Sequence, residues 1–367
     1  MPVLGPALAR HGALLVATLI AGCSGTTGPD LSRGDLAIFG LDTGHPVVVD
    51  SRQGTILGEI RQAVSMRQVL NILPSPDRAY FTAPFTDNRS RLSAIDLSTR
   101  TVIWEVENEL GVAFTLTEAL ALSSDRQALY VHAIRGSESG VASFDLAARA
   151  VTSFVPIPSL FNAGIVALTR GGVRTVDTLV AAVGNQDSAV FIRLAAPAVL
   201  GGLRPPPGSR HIFSMAEGVP GRLYVSGDAS IGLYDRPTGA YLATVPTQAL
   251  GELVTTNDGR LVTLPDYGYG GFVPTGVMPI LGEGLNTIAV VDLRPLGHPG
   301  APPTAADAVF SSSGEKLYIA LGTSAITSGN VPHEKARVVV ADTRTGAIER
   351  VIDLNAYGGY HKIITLP

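Results

Sequence analysis

The sequence has little charge and almost no cysteine. Only 16% of its 367 residues are charged, against about 25% in average proteins. The 27 Lys and Arg residues against 31 Asp and Glu residues give a net charge of −4, which excludes an overall basic field that would bind nucleic acid. The single cysteine excludes an intrachain disulfide framework and a cysteine-rich metal site. Because 46% of the residues are hydrophobic, the chain can bury a large core.

The N-terminal segment contains one short apolar run, from Gly12 to Ile20, preceded by Arg10. This run is shorter than the ~20 residues that a membrane-spanning helix needs, and the pattern is typical of a secretory signal. The segment ends in Ala21-Gly22-Cys23, and Cys23 is the only cysteine of the chain. These residues resemble the bacterial lipobox, in which the cysteine is lipidated and becomes the first mature residue. The alternative is an ordinary secretory signal with a chance cysteine.

The lipobox resemblance divides the chain into three parts. We predict a signal peptide over residues 1–22, a lipidated cysteine and flexible tether over 23–34, and a single domain over 35–367. The membrane is then a partner through a lipid anchor at Cys23. Ser24 stands where Asp typically marks inner-membrane retention, so the resemblance favours the outer membrane, facing the periplasm or the cell surface.

The rest of the chain repeats a unit of about 49 residues. In each unit an apolar strand ends in an aspartate and is followed by a turn. The aspartates are Asp50, Asp96, Asp145, Asp235, Asp292 and Asp342, and Arg193 fills the gap between the third and the fourth. A strand–turn–strand segment precedes each aspartate and another strand follows it, while no segment has a sustained helical pattern. The sequence therefore predicts an all-β fold.

Four strands that repeat every 40–50 residues are typical of the blades of a β-propeller. The seven turn positions predict a seven-bladed propeller of four-stranded antiparallel blades. The chain ends in GGYHKIITLP, which matches the first strand of a unit, and the segment from Asp35 matches a second strand. We therefore expect the C-terminal strand to complete the first blade and so to hide a sheet edge.

The repeat resembles the YVTN repeats of YncE-like and surface-layer-type extracytoplasmic proteins. The matching segments include SPDRAYFTA with AIDLST, and SSSGEKLYIA with VVVADTRTGAIERVI. WD40 repeats would require Trp-Asp pairs, and the only tryptophan, Trp104, is not followed by Asp. The resemblance implies a propeller fold and a binding role rather than one particular chemistry.

Two sets of residues are candidates for function. The repeated aspartates are interpreted as turn caps rather than as catalytic or calcium-binding groups. Polar residues near the starts of the innermost strands are instead expected at the rim of the central channel, where a ligand could bind. They are Asn162, His211, Glu252, Asp307 and His361. The alternative is a solvated rim without a ligand. No metal-ligand spacing, cofactor motif or catalytic motif is present, so we predict no catalytic residue, metal or cofactor.

Long insertions interrupt two of the units, and both are expected on the same face of the fold. The first, Asp266 to Asn286, is rich in glycine and aromatic residues, and the second runs from Gly322 to Arg337. Loops longer than about 12–15 residues are usually functional or disordered. The first insertion is interpreted as a mobile aromatic lid or a partner-binding loop, and the alternative is a packed insertion without a ligand. Its candidate contact residues are Tyr267, Tyr269, Phe272 and Met278.

The sequence thus favours a lipid-anchored extracytoplasmic propeller that acts as a binding or scaffold module in the bacterial cell envelope. Its partner would be an envelope protein or a small molecule. The alternative is an enzyme with its site at the channel rim, either a lactonase-like hydrolase or a quinone-dependent dehydrogenase. Convergence of the rim residues on one point would favour the enzyme.

Overall fold

The computed structural model describes most of the domain. The described residues are 36–40, 47–59, 71–74, 78–86, 89–96, 98–99, 101–106, 108–109, 112–114, 120–123, 125–157, 178–183, 188–193, 198–247, 252–256, 258–264, 276–297, 303–311, 313–322, 335–357 and 361–365. Within these ranges, no helix has both the length and the apolar character needed to cross a membrane. Cys23 and the predicted signal peptide and tether lie outside them.

The described strands form seven antiparallel sheets, numbered here in chain order. Sheet 1 contains β1 (Leu36–Gly40), β2 (Val47–Asp50) and β3 (Thr55–Glu59), and it also takes the last strand of the chain. Sheet 2 contains β4 (Asn71–Pro74), β5 (Arg78–Thr86), β6 (Arg89–Asp96) and β7 (Thr101–Val106). Sheet 3 contains β8 (Asn108–Glu109), β9 (Val112–Phe114), β10 (Leu120–Leu122), β11 (Ala128–Arg135), β12 (Glu138–Asp145) and β13 (Ala150–Pro156).

The second half of the chain supplies the other four sheets. Sheet 4 contains β14 (Thr178–Val183), β15 (Ser188–Arg193) and β16 (Ala198–Leu203). Sheet 5 contains β17 (Ile212–Glu217), β18 (Arg222–Gly227), β19 (Ser230–Asp235) and β20 (Ala240–Pro246). Sheet 6 contains β21 (Leu253–Thr255), β22 (Leu261–Thr263), β23 (Val277–Leu281) and β24 (Thr287–Asp292). A 3₁₀ helix (Arg294–Leu296) leads to sheet 7, which contains β25 (Thr304–Phe310), β26 (Lys316–Gly322), β27 (Lys335–Asp342) and β28 (Ile348–Tyr357), and β29 (His361–Thr365) returns to sheet 1.

The prediction of seven four-stranded blades holds only in part, because only five of the described sheets have four strands. Sheet 3 has six strands, since the extra hairpin β8–β9 pairs with the end of β11, where Val112 lies opposite Arg135. Sheet 4 has three described strands, and the segment 158–177 that precedes it lies outside the described residues. The blades therefore vary in width more than the regular spacing of the sequence indicates.

The C-terminal strand closes the ring, as the sequence predicts. Strand β29 pairs antiparallel with β1, so that His361 lies opposite Gly40 and Thr365 lies opposite Leu36. Sheet 1 is thereby built from both ends of the domain, and β1 has a partner on each side. This pairing removes an open edge on which another chain could add a strand.

Successive sheets contact one another mainly through their innermost strands. Strand β29 contacts both β4 and β25, β4 contacts β10, β14 contacts β17, and β21 contacts both β17 and β25. The sheets therefore surround a common axis, which is the arrangement of a β-propeller. The second strand β18 is almost entirely buried because neighbouring sheets cover both of its faces, whereas most of the outermost strand β20 is exposed.

The repeated aspartates cap turns, as the sequence predicts. The Oδ1 atom of Asp50 accepts the backbone N–H groups of Arg52 and Gln53 at 2.8 and 3.0 Å. Equivalent pairs of bonds reach the carboxylates of Asp145 and Asp342. The turn bonds, led by the N–H of Thr345, lower the pKa of Asp342.

Asp292 is an exception, and its alignment with the other aspartates is wrong. It ends the outermost strand β24 and lies opposite Val277, whereas the β23–β24 turn spans 282–286. Its Oδ1 atom accepts the N–H of Arg294 at 3.0 Å and so begins the 3₁₀ helix. The long chain segment between β22 and β23 lengthens this repeat. The strand that ends in Asp292 is therefore the fourth strand of its sheet rather than the third, and Asp292 lies at the opposite end of the sheet from the other aspartates.

The alternation of strand direction gives the propeller two distinct faces. In the four-stranded sheets, the turns between the first and second strands and between the third and fourth strands lie on one face, which we call the turn face, and the β12–β13 turn of sheet 3 lies on the same face. The connections between the second and third strands, and those between sheets, lie on the opposite face, which we call the insertion face. Both long insertions belong to the insertion face, because they join β22 to β23 and β26 to β27.

Tyrosines of the second strands join successive sheets near the turn face. The Tyr224 hydroxyl donates to the carbonyl oxygens of Glu283 and Gly259 in the next sheet, at 3.0 and 3.3 Å. Burial, together with the charge of Glu283, raises the pKa of Tyr224 to about 12, so the phenol remains a donor. The Tyr318 hydroxyl lies 3.4 Å from the Ser51 Oγ, which joins sheet 7 to sheet 1.

Candidate functional site at the insertion face

The rim residues predicted from the sequence lie on four consecutive sheets. His211 and Glu252 immediately precede β17 and β21, His361 begins β29, and Asp307 lies within β25. All four therefore lie in the innermost strands of sheets 5, 6, 7 and 1 or directly before them. Asn162 lies outside the described residues, and for His361 only the backbone is described.

A proline-rich link between sheets 4 and 5 positions the backbone of His211. The Oδ1 atom of Asp228 accepts the N–H groups of Arg210 and His211, at 2.6 and 3.3 Å. The Ser209 Oγ accepts the N–H of Ala229 at 3.1 Å. The link is thus fixed to the β18–β19 turn, which lies on the insertion face.

The side chain of His211 is partly buried, and its ring lies edge-on to a neighbouring aromatic ring. The ring centroids of His211 and Phe213 are 6.5 Å apart, with an interplanar angle of 68°. Phe213 itself is buried. The imidazole of His211 therefore rests on the wall of sheet 5 and keeps part of its surface in solvent.

Glu252 is held at the start of the neighbouring innermost strand. Its carbonyl oxygen accepts the N–H of Leu264 at 2.8 Å. The next residue, Leu253, donates its N–H to the Ser214 Oγ of sheet 5 at 3.0 Å. This hydrogen bond therefore joins the innermost strands of sheets 5 and 6 close to His211 and Glu252.

Asp307 lies inside the wall of the propeller rather than at an open rim. Its side chain is fully buried. It lies at a β-bulge, where the register between β25 and β26 shifts after Ala305, and its Oδ1 atom accepts the N–H of Ala308 at 3.0 Å. Asp307 thus supports the strand from within, while His211 and Glu252 keep partly exposed positions.

The described rim residues do not assemble into a metal centre. Among the described side chains, no three His, Cys, Asp or Glu groups come together in a way that could hold a metal ion. Zinc, for comparison, requires three or four such ligands at about 2 Å. His211 and Glu252 therefore lie at the insertion face, and Asp307 lies buried in the wall, without forming a metal site together.

Met278 is not part of a loop, contrary to the prediction. It lies in β23 opposite Val291 and is buried in the core between sheets 6 and 7. The alternating apolar residues Met278 and Ile280 form a strand that the glycine-rich sequence before them obscures. Strand β23 begins at Val277, and Tyr267, Tyr269 and Phe272 lie outside the described residues.

A buried histidine–serine pair was missed from the sequence. The Nε2 atom of His132 in β11 and the Oγ atom of Ser139 in β12 lie 2.7 Å apart, and both side chains are buried. Burial lowers the pKa of His132 to about 4, so the imidazole is neutral at pH 7. Serine and histidine form nucleophile–base pairs in enzymes, but here both groups are enclosed in sheet 3. One isolated His in an apolar strand gives no sequence signal for such a pair.

Solved structures with similar folds support the propeller architecture. A functionally unknown protein from Desulfotomaculum acetoxidans DSM 771 matches with a TM-score of 0.62 and 14% identity, over 91% of this chain and 99% of that chain. The RRP9 WD40 repeats match with a TM-score of 0.58 and 11% identity, over 87% of each chain. The dihydro-heme d1 dehydrogenase NirN in complex with DHE matches with a TM-score of 0.53 and 14% identity, over 89% of this chain and 74% of that chain.

The fold is a β-propeller. No protein-family model matches the chain, and no curated protein sequence does. The similar structures include repeat proteins, an enzyme and a protein of unknown function, and at these identities they show the fold alone. The propeller must therefore be assigned a function from its own residues.

Proposed function

We propose that the protein is a lipid-anchored propeller with YVTN-type repeats that acts as a binding or scaffold module in the bacterial cell envelope. Cys23 carries the anchor, and the propeller faces the periplasm or the cell surface from the outer membrane. An envelope protein or a small molecule binds at the insertion face.

The observation that carries this proposal is the place where the chain joins the propeller. Leu36 begins β1 and follows Cys23 by 13 residues. Because Leu36 lies opposite Val49, next to the Asp50 turn, the chain joins sheet 1 at the turn face. An extended segment of that length spans at most about 45 Å, and a flexible one spans about 20 Å on average.

This connection leaves the insertion face free for a partner. A short tether to the turn face keeps that face nearest to the membrane, so the opposite face points away from the lipid. The insertion face carries both long insertions and the partly exposed His211 and Glu252. Binding residues are often carried by loops that a rigid scaffold positions.

The proposal predicts that partner capture depends on the insertions. Replacing 266–275 or 323–334 with a Gly-Ser linker of equal length should abolish capture of an envelope partner by the purified protein, without lowering the free energy of unfolding. Both replacements leave Met278 and the strands intact. Captured proteins would be quantified by mass spectrometry from envelope extracts.

The matched control changes the opposite face. Gly-Ser replacement of the exposed turn residues 147–148 should leave the captured set unchanged. Capture that persists in both insertion variants would contradict the binding role of the insertion face. A hydrolase or dehydrogenase activity that survives both replacements but is lost in Glu252→Gln, at a partly exposed position, would favour the enzyme alternative instead.

A further inference from the structure

The propeller carries a band of exposed apolar side chains on one part of its circumference. Every large hydrophobic residue that is exposed within the described part of the chain belongs to this band. We call it the hydrophobic rim, and it consists of Ile56, Tyr241, Leu242, Ile288, Val290 and Val351, which are 38–45% exposed. Single exposed apolar residues are ordinary on protein surfaces, so the position of these six relative to one another is what matters.

All six residues lie on outermost strands of consecutive sheets. They belong to β20, β24, β28 and β3, the outermost strands of sheets 5, 6, 7 and 1. Each lies within the first four residues of its strand, and these strands begin at the turn face. The described outermost strands of sheets 2 and 3, β7 and β13, contribute no exposed large hydrophobic residue. Among the side chains that the structure describes, the hydrophobic rim therefore lies on sheets 5, 6, 7 and 1.

A β-bulge presents two of the six residues of the hydrophobic rim to solvent. In each outermost strand the pairing slips by one residue near the turn. The extra residue is the exposed Leu242 in β20 and the exposed Ile288 in β24. The same position holds the partly buried Leu57 in β3 and Ile103 in β7, and the polar Thr152 in β13 and Glu349 in β28. Bulges blunt a free sheet edge against pairing with another strand. The side chains, rather than the strand edges, are therefore available for contact.

Ion pairs partly neutralise several of the carboxylates near the hydrophobic rim. Glu349 lies 2.5 Å from the Nζ of Lys316, and Glu315 lies 3.4 Å from a guanidinium nitrogen of Arg344. Asp258 and Asp235 have arginine partners on their own sheets. Paired charges reduce the repulsion between this surface and anionic lipid headgroups.

We propose that the hydrophobic rim lies against the phospholipid bilayer that holds the lipid anchor. This inference rests on the proposed function, because the tether supplies the reason for lipid as the occupant. The tether joins sheet 1, which carries Ile56, at the same face as the rim. A tether that averages about 20 Å holds this side of the propeller at the membrane surface. The apolar side chains then enter the interface between headgroups and acyl chains.

The test places an indole in the rim and asks whether lipid quenches its fluorescence. The full chain is coupled through the Cys23 thiol, the single thiol in the sequence, to maleimide lipid in phosphatidylethanolamine–phosphatidylglycerol vesicles. Tyr241→Trp should then lose emission when the acyl chains are brominated. Thr152→Trp, at an exposed position of the outermost strand β13 of sheet 3, is the matched control and should keep its emission. The native Trp104 is buried and provides the same background in both variants.

The outcomes separate the two proposals. Quenching of Tyr241→Trp but not of Thr152→Trp supports contact between the rim and the bilayer, and Ile288→Trp repeats the test on the neighbouring sheet. Equal quenching or no quenching at both positions overturns it, as does a self-associated protein in which the rim is covered by a second copy. Because chemical coupling replaces biological acylation, a failure of lipidation in cells leaves this measurement intact and contradicts only the proposed anchor.

Discussion

Replacing Gly346 with Ala should lower the free energy of unfolding by at least about 3 kcal/mol. Gly346 lies in the β27–β28 turn with φ of +72°, and its N–H donates to the Asp342 carbonyl oxygen at 2.8 Å. A Cβ atom there would lie 2.1 Å from the carbonyl oxygen of Val290 in sheet 6. Because that obstacle is backbone, the contact between sheets 6 and 7 must open. Urea unfolding at equilibrium measures the change.

Gly221 is the matched control for this effect. It has a φ of +79°, but no atom lies within 4 Å of the position that its Cβ would take. Gly221→Ala should therefore cost only the conformational strain of about 1 kcal/mol. Equal losses in the two variants would contradict the close packing of the Gly346 turn on β24.

The buried His132 should make the protein lose about 2–3 kcal/mol of stability between pH 7 and about pH 4.5. The pKa of His132 is about 4 in the folded protein, against about 6.5 in an unfolded chain. Within this window the unfolded chain binds a proton that the folded protein does not. The stabilisation is therefore complete above pH 6.5 and is lost as the pH falls towards 4.

His132→Gln should reduce the dependence of the free energy of unfolding on pH in this window. His211→Gln keeps His132 and should leave that dependence unchanged. The free energy of unfolding in urea, measured at several pH values, tests both variants. The carboxylates with lowered pKa values, such as Asp258 at about 2, lose their contributions at lower pH than this window. An unchanged slope in His132→Gln would contradict the assignment of the effect to His132.

Much of the fold could be predicted from the sequence, because the turns depend on residues that are close together in the chain. An aspartate after an apolar strand caps the next turn wherever the chain turns at once, as at Asp50, Asp145 and Asp342. The pairing of the last strand was also predictable. His361–Thr365 has the pattern of a first strand, and β1 has the pattern of a second strand with no first strand before it, so the two complete one sheet. Both features depend on neighbouring residues or on one repeated pattern.

Features that depend on contacts between distant residues were not predictable. Because the repeat was counted along the chain, the long insertion made Met278 look like a loop residue. It also made Asp292 look like the end of a third strand, although Asp292 ends the fourth strand of its sheet. The burial of His132 and Asp307 depends on neighbouring strands and sheets. The concentration of exposed apolar residues on sheets 5, 6, 7 and 1 emerges only when the ring is assembled.

The mass of the protein isolated from the envelope of a bacterium with an outer membrane tests whether Cys23 holds the propeller at the membrane. We expect a chain that lacks residues 1–22 and carries a diacylglyceryl and an acyl group on Cys23. Labelled fatty acid should be incorporated into the native chain and into Ser24→Ala, but not into Cys23→Ser. A mature protein with an unmodified Cys23, or one cleaved at another position, would contradict this anchor.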